Sequence, residues 1–210
     1  MTGGAARVRR VYDAHAAGYD DAIRVAERVL LGEQRDWATS RARGTVLDMG
    51  VGTGLDLPLY AGDVDRVVGV DLSAQMLARA RERCRALGLA DRVDLRHGDV
   101  QALDLPDASV DSVVATYALC TVPDPAAALG EARRVLRPGG RLVLVEHGPS
   151  SSRAGRALQR ALEPLAVRWQ ADHLLRDPRR LAEEAGFRVV EADRAGRAGL
   201  VHRVRAAAPG

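Results

Sequence analysis

The chain has 210 residues, of which 47% are hydrophobic and 28% charged, and its formal net charge is +3. The length fits one domain, and these proportions are those of a soluble globular protein. All 31 basic residues are arginine, which excludes enzyme classes that need a lysine, such as P-loop nucleotide hydrolases and pyridoxal phosphate enzymes.

The chain has only two cysteines and no run of about 18 apolar residues. We therefore expect a cytoplasmic protein without a disulfide framework, a bound metal or a transmembrane helix. Contact with a membrane surface stays open. The arginines are scattered without aromatic residues between them, so binding of nucleic acid is not predicted.

The predicted elements divide one domain into a helical lid, residues 1–43, and a core, residues 44–210. The lid carries helical spacing without strand signals, and we expect two helices there. Strands are predicted at 45–49, 66–70, 93–96, 110–116, 141–146, 187–191 and 200–204. Helices are predicted at 55–62, 74–87, 125–136, 150–169 and 178–185, and Pro164 is expected to bend or interrupt the fourth of these. This alternation predicts an α/β fold with a parallel sheet covered on both faces.

The most informative segment is the turn after the first strand, where Gly50, Gly52 and Gly54 alternate with other residues. Glycines at the end of a buried strand predict a sharp turn that a ligand can approach closely. Asp71 ends the second strand, where a carboxylate can accept hydrogen bonds from the two hydroxyls of a ribose. The glycine spacing differs from the dinucleotide pattern, and Asp48 suits an ammonium group better than a pyrophosphate. Together these residues predict a site for S-adenosylmethionine.

Four blocks in the chain, at 46–55, 67–76, 98–106 and 135–142, resemble those of class I S-adenosylmethionine-dependent methyltransferases. The resemblance implies a Rossmann-like, doubly wound sheet of seven strands in the order 3-2-1-4-5-7-6, with strand 7 antiparallel. It also implies S-adenosyl-L-methionine as methyl donor and S-adenosyl-L-homocysteine as product. The residues that it assigns to the cofactor are Tyr19, Asp48, Gly50, Gly52, Gly54, Asp71, Leu72, Met76, Asp99, Val100 and Thr116.

Candidate residues for the methyl acceptor follow the fourth and fifth predicted strands and the fourth core helix. Histidine titrates near neutral pH and can take a proton from an acceptor. We expect His147 to lie at the sheet edge, and Asp172 beside His173 suggests a base with its orienting carboxylate. The catalytic candidates are His147, Asp172 and His173, and the substrate-binding candidates are Tyr12, Tyr117, Cys120 and Trp169. For each of them a structural role in packing or hydrogen bonding is the alternative.

Three strings, at 51–58, 119–125 and 146–147, resemble the branch of phosphatidylethanolamine N-methyltransferase-like and thiol methyltransferase-like proteins, close to the ubiquinone/menaquinone C-methyltransferases. A Gly-Cys-His-Leu-x-Arg-Asp run common in that branch matches residues 171–177, except that Ala171 and Asp172 replace the Gly-Cys pair.

The leading hypothesis is N-methylation of an amine on a small molecule or lipid head group. S-methylation of a small thiol, C-methylation of a quinone-like ring and a catalytically silent S-adenosylmethionine-binding subunit stay open, and both a monomer and a homodimer are compatible with the sequence.

Overall fold

The computed structural model describes residues 3–60 and 62–209. Its strands are β1 (Gly44–Met49), β2 (Val64–Asp71), β3 (Val93–His97), β4 (Val110–Thr116), β5 (Leu136–His147), β6 (Arg188–Ala195) and β7 (Val201–Ala207). Its α-helices are α1 (Gly3–His15), α2 (Tyr19–Ala26), α3 (Arg35–Thr39), α4 (Ala74–Ala86), α5 (Pro125–Val135), α6 (Arg153–Gln170) and α7 (Pro178–Glu184).

The seven strands form one sheet in the order β3-β2-β1-β4-β5-β7-β6, and β7 pairs antiparallel with β5 and β6. The predicted fold class and strand order are therefore confirmed. Strands β1 to β5 are parallel, so their carboxyl ends share one edge. The strand order reverses between β1 and β4, and ligands of open α/β sheets bind beside such a switch point.

Buried side chains pack on both faces of the sheet because neighbouring residues of a strand point to opposite sides. In β1, Leu47 belongs to the cluster that contains Leu129 of α5, whereas Val46 belongs to the cluster that contains Leu77 of α4. Helix α4 begins at the N-cap Ser73, which accepts a hydrogen bond from the Met76 amide, as predicted. This packing fixes the sheet edge on which the candidate site residues lie.

The described residues before β1, 3–43, contain three α-helices instead of the two that were expected. Helix α2 continues into a π-helical turn, Glu27–Leu31, and the short α3 contacts β4 and β5. Prediction and structure also differ at Pro164, because α6 runs through this residue without interruption. Proline has no N–H, so Pro164 cannot donate the helical hydrogen bond to the carbonyl of Arg160. Because Pro164 is exposed, water can bind to that carbonyl instead.

Among the described residues, no helix combines the length and apolarity needed to cross a membrane.

Candidate active site

The turn after β1 places three glycines in the left-handed region, with φ of 74° at Gly50, 56° at Gly52 and 79° at Gly54. The amides of Gly50 and Val51 both donate to the Val70 carbonyl, at 2.8 and 3.1 Å, which binds the turn to the end of β2. A Cβ on Gly50 would lie 2.7 Å from the Cβ of Ala118, which belongs to the loop after β4. A larger residue therefore cannot occupy this position without displacing that loop.

Asp71 at the end of β2 is held by two backbone amides. Its Oδ2 accepts from the Gly52 amide at 2.9 Å and its Oδ1 from the Ser73 amide at 2.8 Å. Burial raises the pKa of Asp71, although these two hydrogen bonds act in the opposite direction. Each carboxylate oxygen keeps a further lone pair, so a vicinal diol can donate to both.

A donor cavity lies over this turn and the carboxyl ends of β1, β2 and β4. It is lined by eleven of the predicted site residues: Tyr12, Tyr19, Gly50, Gly52, Asp71, Leu72, Met76, Asp99, Val100, Thr116 and Tyr117. Two buried hydroxyls of this wall, Thr116 Oγ1 and the Tyr117 hydroxyl, have no hydrogen-bond partner within the described part of the chain. Unpaired buried hydroxyls are costly, so a ligand that supplies polar groups fits the cavity.

A small recess beside the donor cavity contains Asp48, together with Gly50, Gly52 and Arg35. The Asp48 carboxylate is buried and accepts a hydrogen bond from the Tyr60 hydroxyl at 3.1 Å. Burial, with a further contribution from the charge of Asp56, raises the pKa of Asp48 well above its usual range. A cationic group in the recess would offset this cost, as predicted for the ammonium of S-adenosylmethionine.

A second cavity of about 560 Å³, which we call the acceptor cavity, shares Tyr12, Tyr19 and Tyr117 with the donor cavity. Its other polar or titratable lining residues are His15, Cys120, His147, Gln170 and Asp172. Apolar side chains of α1 and α2 complete the wall. Although the protein has 31 arginines, none of the described residues lining this cavity is an arginine.

His147 and Asp172 form the closest polar pair of the acceptor cavity, with 2.9 Å between Nε2 and Oδ1. Burial lowers the pKa of His147, but the hydrogen bond and charge of Asp172 outweigh it and the pKa is raised overall. Burial raises the pKa of Asp172, and the interactions with His147 reverse this, so that carboxyl has a lowered pKa. The pair therefore favours an imidazolium beside a carboxylate once a proton arrives.

Cys120 is the third member of this cluster, since its sulfur lies within 4.8 Å of the nearest donor atoms of His147 and Asp172. Thiolate, imidazole and carboxylate are the ligand types of zinc sites. Burial and the charge of Glu146 raise the pKa of the Cys120 thiol well above its usual range. The thiol is therefore protonated at neutral pH. Asp172 and His147 are each other's hydrogen-bond partner.

Glu146, the residue before His147, holds the loop after β4. Its Oε1 accepts from the amides of Ala118 and Leu119 at 2.9 and 2.8 Å. Burial raises its pKa to about 7, although these backbone hydrogen bonds lower it. The loop begins at Tyr117, which has a left-handed φ of 54°. Such strain is stored where the surrounding contacts determine the backbone and is frequent at functional sites.

Besides Asp48, which lies in the recess, three predicted site residues lie outside both cavities. Gly54 packs against α4, where an added Cβ would lie 2.7 Å from Leu57 Cδ1 and 3.2 Å from Ala80 Cβ. Trp169 is 68% exposed on α6 and does not line the acceptor cavity, contrary to its predicted contact with substrate. His173 does not pair with Asp172 as expected, because its side chain faces Glu163 at 3.4 Å.

Three residues that the sequence did not indicate connect the helices before β1 to the donor cavity and its neighbouring recess. Asp20 of α2 accepts from Thr53 Oγ1 and from Arg83, both at 2.6 Å. Asp13 of α1 accepts from Ser73 Oγ at 2.6 Å. Arg35 pairs with both Glu27 and Asp56 at 2.7 Å. No local motif marks these residues, because their partners lie on other elements of the chain.

The fold and the site define a nucleoside-binding α/β domain, and comparison with known proteins gives the family. Residues 47–144 match the model of the methyltransferase domain. The chain is 41% identical over 142 residues to phosphatidylethanolamine N-methyltransferase of Cereibacter sphaeroides, covering 65% of this chain and 70% of the relative. It is 36% identical over 149 residues to a ubiquinone/menaquinone biosynthesis C-methyltransferase of Roseobacter denitrificans, covering 68% of this chain and 59% of the relative.

A solved S-adenosylmethionine-dependent methyltransferase from Aquifex aeolicus has the same fold, with a TM-score of 0.63 at 20% identity over 87% of this chain and 93% of that one. The chain belongs to the class I S-adenosylmethionine-dependent methyltransferases, and its methyl donor is S-adenosylmethionine.

Proposed function

We propose that the protein methylates the nitrogen of an amine on a small molecule or a lipid head group. The observation that carries this proposal is the composition of the acceptor cavity. Its wall combines tyrosine rings with the His147–Asp172 pair and contains no arginine among the described residues. Aromatic faces and a carboxylate attract an organic cation, whereas an anionic acceptor would call for guanidinium groups.

The chain's own residues would perform three tasks in this reaction. The glycine turn, Asp71 and the apolar residues of the donor cavity orient the donor, and the shared tyrosines exclude water from the junction of the two cavities. S-adenosylmethionine supplies an already activated methyl group. An amine that binds as a cation has no free lone pair, so it must lose a proton before its nitrogen can form the new N–C bond while the S–C bond of the donor breaks and S-adenosylhomocysteine leaves. Because Nε2 of His147 is hydrogen-bonded to Asp172, Nδ1 is the nitrogen that accepts this proton.

Two other acceptors remain candidates within the same class. One is a small thiol, which is a good nucleophile once it has ionised. The other is a quinone-like ring, because the Roseobacter relative is named as a ubiquinone/menaquinone biosynthesis C-methyltransferase. The 41% identical relative is named as an N-methyltransferase, which supports nitrogen. The direct pairing of His147 with Asp172 also supports nitrogen over sulfur, because a thiolate acceptor has no proton to lose.

The proposal is tested by incubating the protein with methyl-labelled S-adenosylmethionine and a panel of amines, thiols, phenols and quinols. We expect label in amines, and we expect His147→Gln to lower amine methylation by about 100-fold, a typical contribution of a general base. His173→Gln is the matched control, because this side chain faces Glu163, and it should retain most of the activity. Label found only in thiols or quinols would refute the amine assignment.

A further inference from the structure

Helix α6 presents an apolar face without any partner in the described structure. It has 18 residues, and none of them is buried. Leu158, Leu162, Leu165 and Trp169 recur at helical spacing on one face, and their side chains are 60%, 46%, 59% and 68% exposed. A soluble helix of this length normally buries its apolar stripe, so this stripe needs another explanation.

A second exposed apolar patch lies on α2 and the π-helical turn, where Val25, Val29 and Leu30 are 60%, 53% and 43% exposed. Both patches are on elements that also wall the acceptor cavity. Ile23 and Ala26 of α2 line it, and so does Gln170, the residue after Trp169. We call the α6 stripe and this second patch together the docking face. The docking face therefore flanks the cavity that would hold the acceptor.

The charges around the docking face indicate what covers it. Arg153, Arg160 and Arg168 of α6 and Arg28 of the π-helical turn are exposed, and none of them forms an ion pair within residues 3–60 and 62–209. The one acid of α6, Glu163, is already engaged by the Leu174 amide at 2.8 Å. Two exposed acids, Asp21 and Glu33, lie beside the second patch, and Asp21 is paired with Arg24. On α6 the exposed charges without an ion pair are all positive, so a second copy packed against this helix would place arginines against arginines, whereas an anionic lipid surface complements them.

We propose that the docking face binds an anionic lipid bilayer and that the acceptor amine is carried by an amphiphile taken from that surface. A tryptophan with leucines on one helix face and arginines beside it is the composition of an interfacial helix. The identity of the acceptor rests on the proposed N-methylation, but binding to the bilayer does not.

Binding is tested by sedimentation of the full chain with vesicles of phosphatidylcholine alone or with 30% phosphatidylglycerol. We expect binding to the anionic vesicles at least tenfold stronger than to the neutral ones, and weaker binding as salt is raised. The double variant Leu162→Gln/Trp169→Gln should reduce binding at least tenfold. The matched control is Leu87→Gln/Val190→Gln, which changes two other exposed apolar residues, 53% and 44% exposed, away from the docking face.

The same variants separate this inference from the proposed function. The docking-face variant should methylate a soluble amine at the wild-type rate and lose only the methylation of a vesicle-borne amine. Vesicle binding by a protein that methylates no amine would leave the docking face standing and refute the proposed function. Equal binding to both vesicle types, equal binding by both double variants, or a dimer in sedimentation that the docking-face variant dissociates would overturn the inference.

Discussion

Tyr117 is the residue on which the two cavities meet. It lines both of them, its hydroxyl is buried without a partner among the described residues, and its φ of 54° is unusual for an aromatic residue. The Arg35 guanidinium lies 5.6 Å from the centre of its ring. The backbone strain and the unpaired hydroxyl both lower the stability of the free protein, and both are typical of a residue kept for a ligand.

Tyr117→Phe should separate stability from function. Removing an unsatisfied buried hydroxyl should leave the free energy of unfolding unchanged or raise it by about 1 kcal/mol. Binding of donor or acceptor should weaken, because the ligand loses a hydrogen-bond partner. Urea denaturation and steady-state kinetics measure the two effects. A loss of stability without any change in kcat/KM would show that the hydroxyl has only a structural role.

Asp172→Asn should change the pH dependence of catalysis. The neutral form of His147 accepts the proton, so kcat/KM should fall as the pH drops through the raised pKa of His147. Without the Asp172 charge, burial dominates and lowers this pKa, and the acid limb of the profile should move to lower pH. The measurement is a profile of kcat/KM for one amine in both proteins. An unshifted limb with uniformly lower activity would argue against the pair.

The sequence placed Asp172 and His147 in the site but paired Asp172 with the wrong histidine. Asp172 and His173 are adjacent in the chain, yet the C-cap residue of α6, Ala171, adopts φ 55° and turns the chain there. After this turn Asp172 reaches Nε2 of His147, 25 residues away, while His173 faces Glu163. A backbone reversal at an alanine has no sequence signature, because glycine or asparagine is the usual residue there.

At the scale of elements, α2 is held over the glycine turn by Asp20. Burial raises the pKa of Asp20, but the hydrogen bonds from Thr53 and Arg83 prevail and the pKa is lowered. Asp20→Ala removes both hydrogen bonds that hold α2 against the turn. It should free α2 and raise the dissociation constant of S-adenosylmethionine by about tenfold. Calorimetry gives the affinity, and hydrogen exchange of 19–26 reports the helix.

The neighbouring Asp21→Ala is the control for this change. The Asp21 side chain is 81% exposed and forms only a surface pair with Arg24, which contributes little. Equal effects of the two substitutions on affinity would show that α2 is not held by Asp20.

The loop after β4 depends on Glu146, whose pKa is raised to about 7 by burial. The folded protein binds a proton on Glu146 more tightly than the unfolded chain does. The contribution of this protonation to the free energy of unfolding is therefore complete below about pH 4.5 and is lost as the pH rises through 7. A shift of this size corresponds to about 3 kcal/mol. We expect the free energy of unfolding of the wild type to fall relative to Glu146→Gln between pH 5 and 8. Parallel curves for the two proteins would contradict the assignment.

Most elements of the core could be predicted because they carry a local signal, but the helix expected at 55–62 is only a 3-10 turn, Leu57–Leu59. Ser73 and Asp124 cap α4 and α5 through their side chains, and Pro125 follows as the first helical residue. The π-helical turn after α2 carries no such signal, because a single extra residue in a helical turn leaves the apolar spacing nearly unchanged. Pro164 misled the sequence-based expectation because a proline on an exposed helix face costs less than one in a buried helix.

At the scale of the whole molecule, the donor side of the site was more predictable than the acceptor side. The glycines and Asp71 follow consecutive strands, so the parallel topology brings them to one edge. The acceptor cavity is assembled from α1, α2, the β4 loop, the end of β5 and the end of α6. Its composition depends on contacts between distant segments, which explains why Trp169 was placed in it and Gln170 was not.

The central claim is that the cavity over the glycine turn binds S-adenosylmethionine through Asp71. Titration calorimetry of the full chain with this ligand tests it most directly. We predict binding at one site, weakened at least tenfold by Asp71→Ala, since hydrogen bonds to a charged group contribute about 1.5–3 kcal/mol, with an unchanged circular dichroism spectrum. Absence of heat from correctly folded wild-type protein at millimolar ligand, or equal affinity in the variant, would contradict the claim.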